Sequence, residues 1–229
     1  QALKAPMDAG AIEIDFVEEG SLSNIQNALL TGKYHVLHYT GHGAHDSNGS
    51  SLILEDSFGG PKPAYISDLL PIIREANSLR LVVLSGCQTG QIDQTQAMSG
   101  IAPGLLQVVP AVVAMQFTVL DDSAQKWAGA FYTTIGQGGV LEDAMQAGRR
   151  AMNENNAAAV DWGVPALYLH RPNIRLVDPS RTDTNVVAPA QFDVATLPLP
   201  SAPFFAERRE TLRHLRYALA NNSSQMYSE

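Results

Sequence analysis

The chain has 229 residues, 45% of them hydrophobic, a formal net charge of −8 and a single cysteine. That length fits one large domain, or a domain of about 150–175 residues with an appendage, and a core of that size needs neither disulfide nor metal to hold it. The acidic balance argues against nucleic acid as a partner, since phosphate binding needs a basic stripe and none occurs; one cysteine excludes an internal disulfide framework and fits a cytoplasmic, reducing setting.

No apolar run approaches the ~20 residues of a membrane-spanning helix, and no secretory signal opens the chain, so no membrane partner is expected. The first residue is Gln1, which suits a piece cut from a longer protein. In chain order, Ala11 to Val17 alternates apolar and polar residues, the mark of a half-buried strand. Ser21 or Ser23 is placed to cap a helix through Leu30, with Gly32 stopping it. Tyr34 to Tyr39 then reads as a strand covered on both faces. It runs into a turn, Gly41-His42-Gly43, that sets one imidazole at the strand end.

Residues 44–51 are polar and Gly-rich, Leu52 to Leu54 is a small strand, and Phe58 to Pro63 is loop. Ser67 and Asp68 offer N-cap chemistry for a helix to about Ala76, with Pro71 early, where a missing N–H costs least. Leu81 to Leu84 is a second buried strand, and its Ser85-Gly86 turn presents Cys87. Thr89 to Ser99 reads as a rim loop or lid. Ile101 to Val108 suggests a short helix and Ala111 to Phe117 a third buried strand. Ala124, Trp127, Ala128, Phe131 and Ile135 share one face of a helix capped by Asp121 or Asp122. Leu141, Ala144, Met145, Gly148, Ala151 and Met152 do the same for the next. Val164 to Leu169 closes with a strand. Strands alternating with helices predict an α/β/α sandwich around a largely parallel sheet. From about residue 172 five prolines mark a linker or wrapped arm. Ala206 to Leu219 then reads as an amphipathic helix.

Ligands of such sheets gather outside the carboxyl ends of the strands, where His42 and Cys87 both fall. A thiol with an ordinary pKa is only a few per cent thiolate at neutral pH, and an adjacent imidazole raises that fraction. The N–H of Cys87 and that of Gly43, whose position carries no side chain, are candidates for an oxyanion hole. Taken singly, a strand-end cysteine is more often a small core residue and Gly-His-Gly more often a turn. Their occurrence at the ends of consecutive strands is what favours a dyad. A metal site of His38, His42, His45 and Asp46 is disfavoured, because that spacing suits a helix that the glycines forbid. No metal and no cofactor are expected.

The segment Tyr34-His-Val-Leu-His-Tyr-Thr-Gly-His-Gly43 resembles the histidine motif of CHAT domains, the caspase-like family related to separase. Leu84-Ser-Gly-Cys-Gln-Thr-Gly90 is similar to the family's cysteine motif. Ala111 to Asp121, Phe131-Tyr132, the helix from Leu141 and Trp162 to Tyr168 extend the likeness over roughly residues 11–170. The resemblance implies a caspase-like fold and a cysteine endopeptidase with His42 as base and Cys87 as nucleophile. It further implies cleavage after Lys or Arg in a protein substrate, with Asp121 at the acidic position of the pocket; a helix N-cap is the competing reading of Asp121. Two departures stand out. Phe117 replaces a common Trp, and Ser85, at the substrate-binding position two residues before Cys87, replaces the Asp of some caspase-like proteases.

Pro203 to Leu215 is similar to the segment that opens STAND-type ATPase modules, although no G-x-x-x-x-G-K-[ST] loop occurs in the chain. The expected layout is a caspase-like domain over 1–171, a linker over 172–205 and a helix with tail over 206–229. An attached ATPase or sensor domain is the expected regulatory partner. The rival expectation is a catalytically silent interaction module coupled to such an ATPase.

Overall fold

A computed structural model describes residues 3–8, 10–86, 93–117, 119, 121–154 and 161–178. Their elements, in order, are α1 (Lys4–Asp8), α2 (Leu22–Thr31), β1 (Val36–Asp46), β2 (Gly49–Glu55), β3 (Pro61–Tyr65), α3 (Ile66–Glu75), β4 (Leu81–Gly86), α4 (Asp93–Leu105), β5 (Ala111–Met115), α5 (Asp121–Gly136), α6 (Leu141–Asn153), a 3-10 turn at Asp161–Gly163, and β6 (Pro165–Leu169). Among these residues the sheet has six strands in the order β3-β2-β1-β4-β5-β6. Its centre is parallel, β1 beside β4 beside β5, while β2, β3 and β6 join antiparallel. The fold is the expected α/β sandwich.

The apolar runs explain the centre. Leu81, Val83 and Leu84 are fully buried, as are Ala111 to Ala114, because helices cover both faces of β4 and β5. Alternation along each strand then divides the core in two. Val82, Leu84, Val112 and Ala114 face α2, α3 and α4, meeting Leu29, Leu69, Ile73, Ile101 and Leu105. Leu81, Val83, Val113 and Met115 face α5 and α6, meeting Trp127, Phe131, Leu141 and Met145. Trp127 and Phe131 stack within that second layer with ring centroids 4.5 Å apart.

The helix ends follow their sequence signals. The Ser21 side chain accepts the N–H of Asn24, capping α2. The Asp68 carboxylate accepts the N–H of Tyr65, the residue before α3, at 2.9 Å. Four segments differ from expectation. Residues 11–17 form no strand; no neighbouring strand pairs with them, and Ile12 instead packs against the α5/α6 layer. Gly41-His42-Gly43 is no turn but the middle of β1, which runs on to Asp46 and folds back as β2. Pro61 to Pro63 belongs to β3, an edge strand, where proline is tolerated. The polar run from Asp93 to Ser99 forms the first turns of α4, with Ala97 and Met98 buried.

Beyond β6 the first residues of the expected linker lie on the domain. The N–H of Leu141 donates to the carbonyl of Ile174 at 2.9 Å. Ile174 is buried, and Leu176 and Val177 pack against the α5/α6 layer. Residues 179–205 and the helix expected from 206 lie outside the described residues.

Candidate active site

The site begins with the length of β1. Val36 to Gly41 pair in parallel with Leu81 to Gly86, and from His42 onward the strand pairs with β2 instead, His42 opposite Ile53. Among the described residues, β1 thus extends past the last paired position of β4 at the carboxyl edge of the sheet, and His42 is the first residue beyond that ladder. Strand alternation puts it on the α5/α6 face. Val36 packs there and His38 bonds Tyr132 of α5, whereas Leu37 and Tyr39 pack on the opposite face.

Two glycines let the strand pass. A Cβ on Gly43 would stand 2.6 Å from the Cβ of Ala97, so the absent side chain is what admits α4. A Cβ on Gly41 would strike the ring of Tyr39, whose phenol lies along the strand over it. The Tyr39 hydroxyl reaches the carbonyls of His42 at 2.8 Å and Ile53 at 2.9 Å. It therefore braces the backbone that carries the imidazole. Sequence reading missed Tyr39; its signal is an aromatic residue two places before a strand glycine, on the same face.

His42 itself is only 5% exposed. Beside it, β4 ends with Ser85 opposite Thr40 and Gly86 opposite Gly41. Ser85 is buried and shares the α5/α6 face with Leu81 and Val83. Cys87, the next residue, lies outside the described residues.

The third side of the rim is the start of α5. Asp121 is its first residue, and its side chain lies outside the described residues. An acid in that first turn is favoured by the helix dipole whatever else it does. Asp122 makes an i,i+4 ion pair with Lys126. The Ser123 hydroxyl donates to the Asp161 carboxylate at 3.0 Å, tying the 3-10 turn to α5.

Four residues before His42 on the same strand face, the Tyr132 hydroxyl bonds Nδ1 of His38 at 2.9 Å. Loss of water around the ring lowers the His38 pKa to about 4, although one side of the side chain remains open to solvent. Desolvation likewise raises the pKa of buried Tyr132. At neutral pH the pair is therefore a phenol donating to a neutral imidazole.

A family model for the CHAT domain matches residues 1–205. The chain belongs to the CHAT domain family. That family is caspase-like and related to cysteine proteases, which accords with an α/β sandwich around a sheet whose centre is parallel. A search of curated proteins gave no match. Among the described residues of this CHAT domain, no three or more His, Cys, Asp or Glu side chains are grouped to hold a metal. His45 bonds Ser50 and Asp46 bonds Tyr65. Nor is any described helix long and apolar enough to cross a membrane.

Proposed function

We propose that this CHAT domain is a cysteine endopeptidase in which His42 and Cys87 form the catalytic dyad. The observation that carries the reading is the register: Gly41 pairs with Gly86, so the histidine and the cysteine each follow directly on one paired position. In this reading Cys87 stands across from His42, one residue beyond the paired glycines, with both side chains toward the α5/α6 face. Cβ atoms of directly paired residues stand about 5 Å apart, close enough for an imidazole and a thiol to meet.

In this scheme His42 takes the thiol proton as sulfur attacks the scissile carbonyl. The carbon–sulfur bond forms and the carbonyl electrons move onto oxygen. The backbone N–H groups of Gly43 and Cys87 receive that oxyanion. Support for Gly43 comes from the ladder, since antiparallel pairing turns alternate N–H groups away from β2. Beyond Gly41, that far side of β1 has no described strand beside it. As the tetrahedral centre collapses, the protonated His42 gives its proton to the leaving amine. Water, activated by the same imidazole, then hydrolyses the thioester.

The substrate in this reading is a protein cut after Lys or Arg, with Asp121 at the pocket and Ser85 beneath it. Activity is governed by an attached or partner ATPase or sensor domain, in a cytoplasmic setting. The decisive experiment uses the sole cysteine as its own probe. Iodoacetamide is expected to label Cys87 rapidly near pH 7, with His42→Ala slowing the reaction at least tenfold. Wild-type protein should cleave a positional-scanning peptide library, and Cys87→Ala should not. Slow labelling that ignores His42, with no cleavage, would instead point to a silent interaction module.

A further inference from the structure

The same rim carries two large apolar side chains in water. Phe117, just past β5, is 62% exposed, and Trp162, just before β6, is 48% exposed. The β5–β6 ladder brings their two segments together: Met115 pairs with Pro165, and the N–H of Gln116 donates to the carbonyl of Val164 at 2.9 Å.

The Asp161–Gly163 turn that bears Trp162 is anchored from three elements. Ser123 of α5 holds the Asp161 carboxylate, Gln116 after β5 holds Val164, and the Arg149 guanidinium of α6 donates to the carbonyl of Pro165 at 2.6 Å. Within the turn, the N–H of Val164 donates to the carbonyl of Asp161 at 3.0 Å. A mobile turn would lose ordering entropy whenever it met a ligand; this one, held at Asp161, Val164 and Pro165, has lost that freedom on folding. Leaving a large aromatic half in water forfeits burial energy, and the other tryptophan, Trp127, is fully buried.

We propose that Asp161 and Trp162 form a wall of the substrate pocket and select a cationic side chain. Asp161 takes the charge and the face of Trp162 covers the alkyl stem. This rests on reading the rim as the endopeptidase site and adds two specificity residues to it. The chemistry fits a lysine or arginine. Ser123 occupies Oδ2 of Asp161, and a carboxylate has further lone pairs for a second donor. An aromatic face attracts a cation by its quadrupole and packs against methylenes. The dimensions fit as well. One strand spacing, ~4.8 Å, separates β4 from β5 and another β5 from β6. Those two spacings come to about 9.6 Å; a lysine or arginine side chain reaches about 6 Å from its Cα, and the Asp161 side chain with a hydrogen bond of about 2.8 Å closes the remainder.

Binding can be tested without catalysis. In the Cys87→Ala background, a short peptide with arginine at the cleavage position is compared with its norleucine counterpart. Two tryptophans are present in the chain, and Trp127 is buried, so a ligand-dependent emission change reports Trp162, with Trp162→Phe as the control. The arginine peptide is expected to shift the emission and bind at least tenfold tighter than norleucine. Asp161→Asn, which keeps an acceptor for Ser123, is expected to cut that preference about tenfold, and Trp162→Ala to weaken both peptides. Absence of arginine preference, or a preference untouched by Asp161→Asn but abolished by Asp121→Asn, would overturn the assignment. The hydrolysis reading is judged separately: an intact arginine preference with no His42-dependent thiol reactivity sinks the dyad and leaves the cation pocket standing.

Discussion

Strands β1 and β4 lie side by side in one sheet, paired over six residues, yet they are built on opposite terms. Every residue of β4 from Leu81 to Ser85 is buried, most of them fully. In β1 only His42 and Gly43 are buried, while His38 and Thr40 reach solvent. The difference lies in what covers them. Helix α4 lies against one face of β1, close enough to require Gly43. On the other face, the α5/α6 layer is filled by residues of β4 and β5, and α5 meets β1 through the Tyr132–His38 bond. Apolar strands supply the frame; the more polar strand beside them carries the buried His42.

The comparison breaks most sharply in the core behind β4. Phe131→Ala removes a fully buried ring that stacks on Trp127, and should cost about 3–5 kcal/mol in urea unfolding. Thr40→Ala on exposed β1 should stay within about 0.5 kcal/mol. Equal losses at the two positions would show that the open face of β1 is covered after all. Glycine substitutions sharpen the contrast at the rim. Gly43→Ala drives a Cβ to 2.6 Å from that of Ala97, and should cost about 1–3 kcal/mol as α4 shifts. Gly86→Ala meets nothing within 4 Å, and should leave the unfolding midpoint nearly unchanged.

What the sequence disclosed follows the same division. The continuous apolar runs of β4 and β5, and the helical spacing of Trp127, Phe131 and Ile135, have one good solution, burial between layers, and both strands and α5 were legible. Gly41-His42-Gly43 was not. Glycines flanking a histidine read locally as a turn, but Gly43 is there for the approach of α4 and Gly41 for the ring of Tyr39, partners that only the tertiary fold brings in. Residues 11–17 mislead for the complementary reason, since alternation predicts a strand only where another strand stands ready to pair. The placing of His42 at the carboxyl edge was readable from topology rules. The brace from Tyr39 to its carbonyl was not, because nothing in a pattern of apolar residues says where a phenol will fold.

That brace gives the next smaller effect. Tyr39→Phe keeps the ring over Gly41 and removes the hydroxyl that reaches the carbonyls of His42 and Ile53. The expected loss is about 1 kcal/mol of stability. If the brace also fixes the imidazole, Cys87 alkylation should slow severalfold in the same variant while its pH profile keeps its shape. Stability lost without a change in labelling would make Tyr39 a packing residue of the strand and nothing more.

The smallest effect tests the open face itself, through pH. His38 has its pKa lowered to about 4 by loss of water, against about 6.5 for an unperturbed imidazole. Between those values the unfolded chain binds a proton that the folded ring refuses. The stability His38 contributes is therefore complete above about pH 6.5 and drains away as the pH falls through about 4. The residue as a whole is exposed, and solvent screening keeps the loss small. His38→Gln, which retains an acceptor for the Tyr132 hydroxyl, should flatten this part of the profile. Urea midpoints of both proteins, taken from pH 7.5 down to pH 4, would show the wild type falling further over that window. Parallel curves would mean that His38 is hydrated in both states, and that the Tyr132 bond alone holds α5 to the first central strand.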